Sequence, residues 1–321
     1  MNNYDLIMDL VGKVSDISDL PAVGAYNIRA DGCGAARQNS ENIEIITKTD
    51  KPGIDIMVKP GTKGETVYIP AIITHGGVDD LVYNDFYIGE DADVTIVAGC
   101  GVHNCDCEDS HHNGIHRFFL AKNSKVLYLE KHYGEGDGTG KRIINPETEV
   151  FAEEGSSMEM DTVQIKGVDS TNRVSKAELK DGAKLVITEK IMTHGDQTAE
   201  TSFDVIMTGK DSSCHLVSRS VARDRSKQVF RSYMRGDAEC YGHSECDGII
   251  MDDGVVSAIP EIIANDVDAR LIHEAAIGKI AGEQLIKLMT LGLTEQQAEE
   301  QIIGGFLRSE ERRVGKECRS R

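Results

Sequence analysis

The densest set of metal-binding side chains in this sequence lies between residues 100 and 116. Cys100, His103, Cys105 and Cys107 are followed there by His111, His112 and His116. Thiolate and imidazole are the donors that zinc and iron–sulfur clusters take from proteins, so Cys100, His103, Cys105 and Cys107 stand as one candidate metal set. The spacing matches no standard zinc pattern. Glu108, Asp109 and Asn113 share the stretch, and a polar loop between structural elements is the competing reading. A separate thiol, Cys246, is flanked by His243, Glu245 and Asp247. In a strand, successive side chains alternate, which puts those three on the face opposite Cys246. A soft thiolate suits iron–sulfur chemistry, whereas a buried structural cysteine is the plain alternative. His273 and Glu274 are adjacent and would point to opposite faces of a strand; before a helix the same pair suits a cap or a surface contact. Cys33, Cys214 and Cys240 have no companions and read as core or turn residues. The stretch Gly134-Glu135-Gly136-Asp137-Gly138-Thr139-Gly140-Lys141-Arg142 fails as a phosphate loop, because Glu135 and Arg142 stand where Gly and Ser or Thr are needed. It reads as a flexible turn, and ATP hydrolysis by this chain alone is not expected.

The elements that must position these groups are mostly short strands. Residues 5–14 form one amphipathic helix, with Leu6, Leu10 and Val14 on a face, and Leu20-Pro21 closes it. From about 26 to 264, alternating apolar positions are punctuated by Gly, Asn and Asp. A loose repeat runs through them, in which a turn residue precedes a small residue and then alternating apolar positions. Its instances begin at Asp91-Ala92, Asn123-Ser124, Gly182-Ala183 and Asp237-Ala238, with weaker copies at Gly155-Ser156 and Asp211-Ser212. Spacing of about 25 to 32 residues suggests stacked coils; a β-sandwich is the alternative. After Ala269 the period becomes helical, through Ile277, Ile280, Ala281, Leu285, Leu288 and Met289. Gly292 is a helix stop, Thr294 with Gln297 a capping box, and Ala298, Ile302, Ile303 and Phe306 a second stripe. The domain plan is a helical segment at 1–20, a β core at 21–264 and a helical hairpin segment at 265–307.

The chain has 321 residues, a formal net charge of −19, no Trp and 32 Gly. Few rings and many turn formers suit stacked strands. The acidic balance argues against nucleic acid and anionic membrane surfaces as partners. No apolar run reaches the roughly 18 residues of a membrane span, and the N-terminal residues lack signal-peptide character. The expectation is therefore cytoplasmic, with the cysteines mostly as thiols. Residues 308–321, RSEERRVGKECRSR, read as the in-frame translation of a sequencing-adapter oligonucleotide. They are set aside, Cys318 included; an ordinary charged tail is the alternative.

Three stretches close the pattern: Gly242-His243-Ser244-Glu245-Cys246-Asp247, Ala258-Ile259-Pro260-Glu261-Ile262 and Leu271-Ile272-His273-Glu274-Ala275. With Gly114-Ile115-His116-Arg117-Phe118-Phe119 and Gln164-Ile165-Lys166-Gly167-Val168-Asp169-Ser170-Thr171 before them, the sequence resembles the SufB/SufD family over roughly residues 20 to 307. The resemblance implies a right-handed parallel β-helix with flanking helices, acting as a scaffold for a transient iron–sulfur cluster rather than as an enzyme. It implies Cys246 as the cluster-building residue, His273 and Glu274 as further ligands, and His243 and Glu245 in support. It also implies a SufC ATPase on the C-terminal helices, where Lys279, Glu283 and Lys287 are the expected contacts, a cysteine-desulfurase sulfur donor system and apo-protein acceptors. Most of the longer members' N-terminal extension is missing here, so the chain looks like the short form that works with the ATPase as a homodimer, in which Cys246 of one chain would approach His273 of the other to give two equivalent sites. A metal-dependent β-helix enzyme acting on polysaccharide, centred on residues 100–116, is the alternative; the lack of Trp and of an export signal counts against it.

Overall fold

The computed structural model describes residues 3–308; the expectation for the charged tail falls outside them, apart from Arg308. Helix α1 (Asn3–Ser15) opens the chain and buries Leu10, Val11 and Val14. Four strands follow: β1 (Ala25–Ala30), β2 (Cys33–Gln38), β3 (Ile43–Thr47) and β4 (Gly53–Val58). The coiled region then runs through β5 (Lys63–Ile73), β6 (Asp79–Ile88), β7 (Asp93–His103), β8 (Ser110–Leu120), β9 (Lys125–Glu135), β10 (Arg142–Ile144) and β11 (Glu147–Ala152). It continues through β12 (Ser157–Lys166), β13 (Ser170–Leu179), β14 (Lys184–Thr193), β15 (Thr198–Met207), β16 (Ser212–Ala222) and β17 (Lys227–Gly236). The last strands are β18 (Cys240–Ile250), β19 (Val255–Ala264) and β20 (Arg270–Gly278), before α2 (Gly282–Met289) and α3 (Glu295–Arg308).

There are two ten-stranded sheets, and from β4 onward successive strands alternate between them, with β10 and β11 together forming one step. One is ordered β2-β1-β5-β7-β9-β12-β14-β16-β18-β20; the other runs β19-β17-β15-β13-β10-β8-β6-β4-β3, with β11 continuing β10 between β13 and β8. Apart from the β1–β2 and β3–β4 hairpins, every pairing is parallel. This is the expected β-helix, of about eight coils. Val94 pairs with Val126, and Met158 with Leu185, so coils take 32 and 27 residues.

The corner motif explains why this sequence coils. Asp91, Asn123, Gly155, Gly182 and Asp211 all have φ between 56° and 67°, the left-handed turn that Gly, Asn and Asp tolerate best. The small residue after each, Ala92, Ser124, Ser156, Ala183 or Ser212, is buried at the corner. Along each strand alternate side chains then fill one continuous core from Ala25 to Cys246. The instance at Asp237-Ala238 does not hold. Cys240 stacks on Ser212 and occupies the corner, while the Asp237 carboxylate ties the preceding turn to Asn265 and Arg235.

The C-terminal boundary differs from the expected one. The helical period does not begin after Ala269: β20 adds nine residues to the sheet in register with β18, and the first C-terminal helix starts at Gly282. Its weak strand formers, His273, Glu274, Ala275 and Ala276, extend because β18 offers a full row of backbone partners. The hairpin beyond is as read. Gly292 has φ 95°, and Thr294 and Gln297 exchange the two hydrogen bonds of a capping box, at 2.9 and 3.2 Å. Helix α3 folds back on the outer face of the first sheet, packing Ile303 and Leu307 on Val221 and Met251.

Candidate functional site

Strand β18 alternates as its sequence suggests. Cys240, Gly242, Ser244, Cys246 and Gly248 point inward, and His243, Glu245 and Asp247 point out. Cys246 is fully buried. Pairing in register puts it between Ser218 of β16 and Ala275 of β20, one strand from the end of the sheet. His273 pairs with Ser244, so it shares the interior face with Cys246, roughly 8 Å away at Cα on strand spacings. Glu274 pairs with Glu245 on the outer face, 3.9 Å from His243, and His243 stacks on His215 with centroids 5.0 Å apart. The expected set is thus divided: Cys246 and His273 inside, Glu274 with His243 and Glu245 outside.

The electrostatics of the inner pair favour a protonated thiol beside a neutral imidazole. Burial pushes the Cys246 thiol up to about 12, aided by the negative charges of Glu189 and Asp247. Burial lowers the His273 pKa, and the charge of His243 adds to this. His273 Nδ1 is buried and has no hydrogen-bond partner among the described residues. A neutral imidazole with an unused nitrogen and a neighbouring thiol are donors that iron accepts.

The fold divides the 100–116 set, keeping Cys100 in hydrogen-bond contact with His112 and separating it from Cys105 and Cys107. Cys100 is buried inside β7, whereas Cys105 and Cys107 are exposed in the loop after it. Cys105 Sγ lies 3.1 Å from His103 Nε2. His112 and His116 point inward from β8, and His111 lies between inward positions. Among the described residues no three His, Cys, Asp or Glu are grouped to hold a metal ion. The glycine-rich turn after β9 exists for packing: it lies flat on this loop, and a Cβ on Gly138 or Gly140 would meet the carbonyl oxygen of Asp106 or Glu108 at 2.3 or 2.0 Å. Cys214 and Cys240 are core residues as expected, while Cys33 is exposed at the start of β2. Lys279, Glu283 and Lys287 are all exposed, and α2 buries no residue.

Three interior charged residues, Glu130, Arg173 and Glu189, are absent from the sequence expectations above. Glu130, Thr162, Glu189, Ser218 and Cys246 form one inward row across neighbouring strands of the first sheet. Arg173, on the facing sheet, pairs with Glu130 and reaches Glu189 at 3.5 Å. Burial opposes the charge on Glu130, but Arg173 and His132 hold its pKa well below the ordinary range. Burial raises that of Glu189, and Ser218 donates to its Oε1 at 3.0 Å. The signal was available: Glu130 and His132 continue the inward alternation of Val126 and Tyr128.

A hydrogen-bond chain fixes the state of His116. Tyr128 donates to Glu130 Oε1 at 3.0 Å, so its oxygen accepts from His116 Nδ1 at 2.8 Å. Nε2 is left to accept from Asn84 Nδ2 at 3.3 Å. Burial, with His112, His132 and Arg173 nearby, lowers the His116 pKa from 6.5 to about 4 against the pull of Glu130. Between these values the folded chain binds fewer protons than the unfolded one, so this residue's stability is present above pH 6.5 and lost as pH falls to 4. One proton is worth about 1.4 kcal/mol per pH unit. In urea titrations at a series of pH values, His116→Asn should flatten the rise of unfolding free energy across that window by about this slope; an unchanged slope would show that His116 titrates normally.

The class of the protein by its fold is a parallel β-helix, with a buried thiol and an imidazole beside its last strand edge. Comparison with known proteins gives the family. The model for "SUF system FeS cluster assembly, SufBD core domain" matches residues 83–306, and the chain belongs to this family. It is 28% identical over 276 residues to an iron–sulfur cluster assembly SufBD family protein of Archaeoglobus fulgidus, covering 85% of this chain and 73% of the relative. A Methanocaldococcus jannaschii member is also 28% identical, with 84% and 86% covered. Against a Methanothermobacter thermautotrophicus member, again 28% identical, the match takes 79% of this chain but 62% of the relative's length.

Proposed function

We propose that this chain is a scaffold on which an iron–sulfur cluster is assembled, with Cys246 as the cluster-building thiol, His273 as the imidazole beside it, and Glu274, His243 and Glu245 in support from the outer face. The observation that carries this is the shared interior face of Cys246 and His273, one strand from an uncovered edge. Here the cluster is cargo, built and passed on. A thiol with its pKa near 12 holds its proton at neutral pH, so iron must displace that proton and the edge must open to admit it. Loading therefore requires movement of β20, and movement of β20 is what an ATPase on the adjoining hairpin could drive. The short α2, with Ile286, Met289 and Leu291 exposed, is the docking surface in this account, flanked by Lys279, Glu283 and Lys287.

The same edge supports a homodimer. Strands β19 and β20 each pair on one side only, and neither contains a fully buried residue. Ala258, Pro260 and Ile262 continue the inward rows of Phe230, Ser232 and Met234 but have no coil above them. Unpaired strand edges with apolar interiors are covered in stable proteins, and a second copy related by a two-fold axis offers the same edge in return. Because His273 already shares a face with Cys246 within one chain, the partner copy need not supply it. Light scattering of the scaffold mixed with a SufC-type ATPase should show two chains of each, and Ile262→Asp should reduce the scaffold to monomers. A monomeric wild-type scaffold binding one ATPase, with normal cluster yield, would refute the dimer and the opening mechanism.

A further inference from the structure

At the other end of the β-helix lies a cavity of about 270 Å³ that the assembly reading does not use. Its lining includes Arg29, Arg37, Lys48 and Lys51, and no Asp or Glu is among the lining residues. In a chain of net charge −19 this is a local inversion of sign. Two of the cations are neutralised from behind. Arg29 forks onto Asp80 with bonds of 2.6 and 2.9 Å, and Lys48 binds Asp85 at 2.7 Å and also contacts Asp55. The other two have no carboxylate among the described residues. Arg37 donates to Asn27 Oδ1 at 2.9 Å and Thr47 Oγ1 at 2.7 Å, and Lys51 lies over the Tyr83 ring at 4.3 Å. Arg37 is exposed and forms the rim; Cys100 and His112 are buried and form the floor.

A second observation narrows the ligand. Asn84 lines the cavity and is 7% exposed. Its amide nitrogen is committed to His116, as the Tyr128–His116 chain requires, and its Oδ1 has no partner among the described residues. A buried acceptor without a donor costs free energy, and a ligand that brings an O–H or N–H would satisfy it. We propose that this cavity binds a small anion that also carries a hydrogen-bond donor, of the size of hydrogenphosphate or a free amino acid, with Arg37 and Lys51 meeting the charge, Asn84 accepting from the donor and the Cys100 thiol within its reach.

Thiol alkylation tests this directly. Iodoacetate and iodoacetamide both form an S–C bond at cysteine and expel iodide, the thiol proton passing to solvent, but only iodoacetate is an anion. Clefts lined by one sign of charge raise the rate for the opposite sign by about 10-fold or more. Peptide mapping should therefore show the iodoacetate-to-iodoacetamide ratio at Cys100 about tenfold higher in the folded chain than in the same chain unfolded in urea. Arg37→Gln with Lys51→Gln, both at the rim, should return the ratio to the unfolded value without loss of fold. Added at millimolar concentration and constant ionic strength, inorganic phosphate or L-serine should slow labelling of Cys100. The one that does so separates a phosphate ligand from a carboxylate ligand. A ratio no higher than in urea, a Cys100 that neither reagent reaches, or protection by neither competitor would overturn the proposal.

Discussion

Arg173→Met should lower the unfolding free energy by about 3–5 kcal/mol, the usual consequence of removing one partner from a buried ion pair. Arg173 and Glu130 are 3% and 2% exposed, and Glu130 keeps its charge in the folded state because Arg173 and His132 oppose the cost of burial. Without the guanidinium, a carboxylate remains in the interior with Tyr128, His132 and, further off, His116 near it. Glu130→Gln should restore much of the loss when added to Arg173→Met, since exchanging a whole buried pair for neutral groups is often close to neutral. Urea unfolding of wild type, both single variants and the double variant closes the cycle. Additive losses would mean that the two side chains do not interact in the folded state.

How far the sequence announces this structure depends on the distance over which its signals act. The corner motif is local: Asp91-Ala92 and Asn123-Ser124 contain both the left-handed residue and the small residue it presents inward, so the coil could be read from a few positions. The alternation around Cys246 is local too, and it correctly puts His243, Glu245 and Asp247 on the outer face. The inner polar row is not local. Glu130 and Glu189 meet Arg173 only because coils of 32 and 27 residues stack in register, and no period in a single strand reports the facing sheet. The 100–116 cluster misleads for the opposite reason. Its cysteines and histidines are neighbours in sequence, but alternation and the turn after β7 send Cys100 inward and Cys105 and Cys107 to the surface. The helical period read after Ala269 overruns β20 because His273, Glu274, Ala275 and Ala276 are weak strand formers, and β18 supplies the pairing that extends them.

Cys246→Ala should leave the fold intact and abolish cluster assembly. The sulfur fills a small part of a core that runs the length of the coil, and losing one atom of that size costs about 1 kcal/mol. Cys214 and Cys240, the other buried thiols of this end, lie farther from His273: Cys214 is on β16, a strand further away, and Cys240 is four residues along β18 from Ser244, the partner of His273, whereas Cys246 is two. Cys105 and Cys107 are exposed in a loop beyond β7, which lies six strands from β20 in the same sheet. Any iron they capture should be loosely held. The most direct test is anaerobic reconstitution with iron and sulfide, followed by visible absorbance and by iron and sulfide content after desalting. The expected result is a chromophore in wild type and in the Cys105→Ala, Cys107→Ala double variant, and none in Cys246→Ala, whose melting temperature should fall by no more than about 4 °C. A normal chromophore in folded Cys246→Ala would contradict the assignment of Cys246 as the thiol on which the cluster is built.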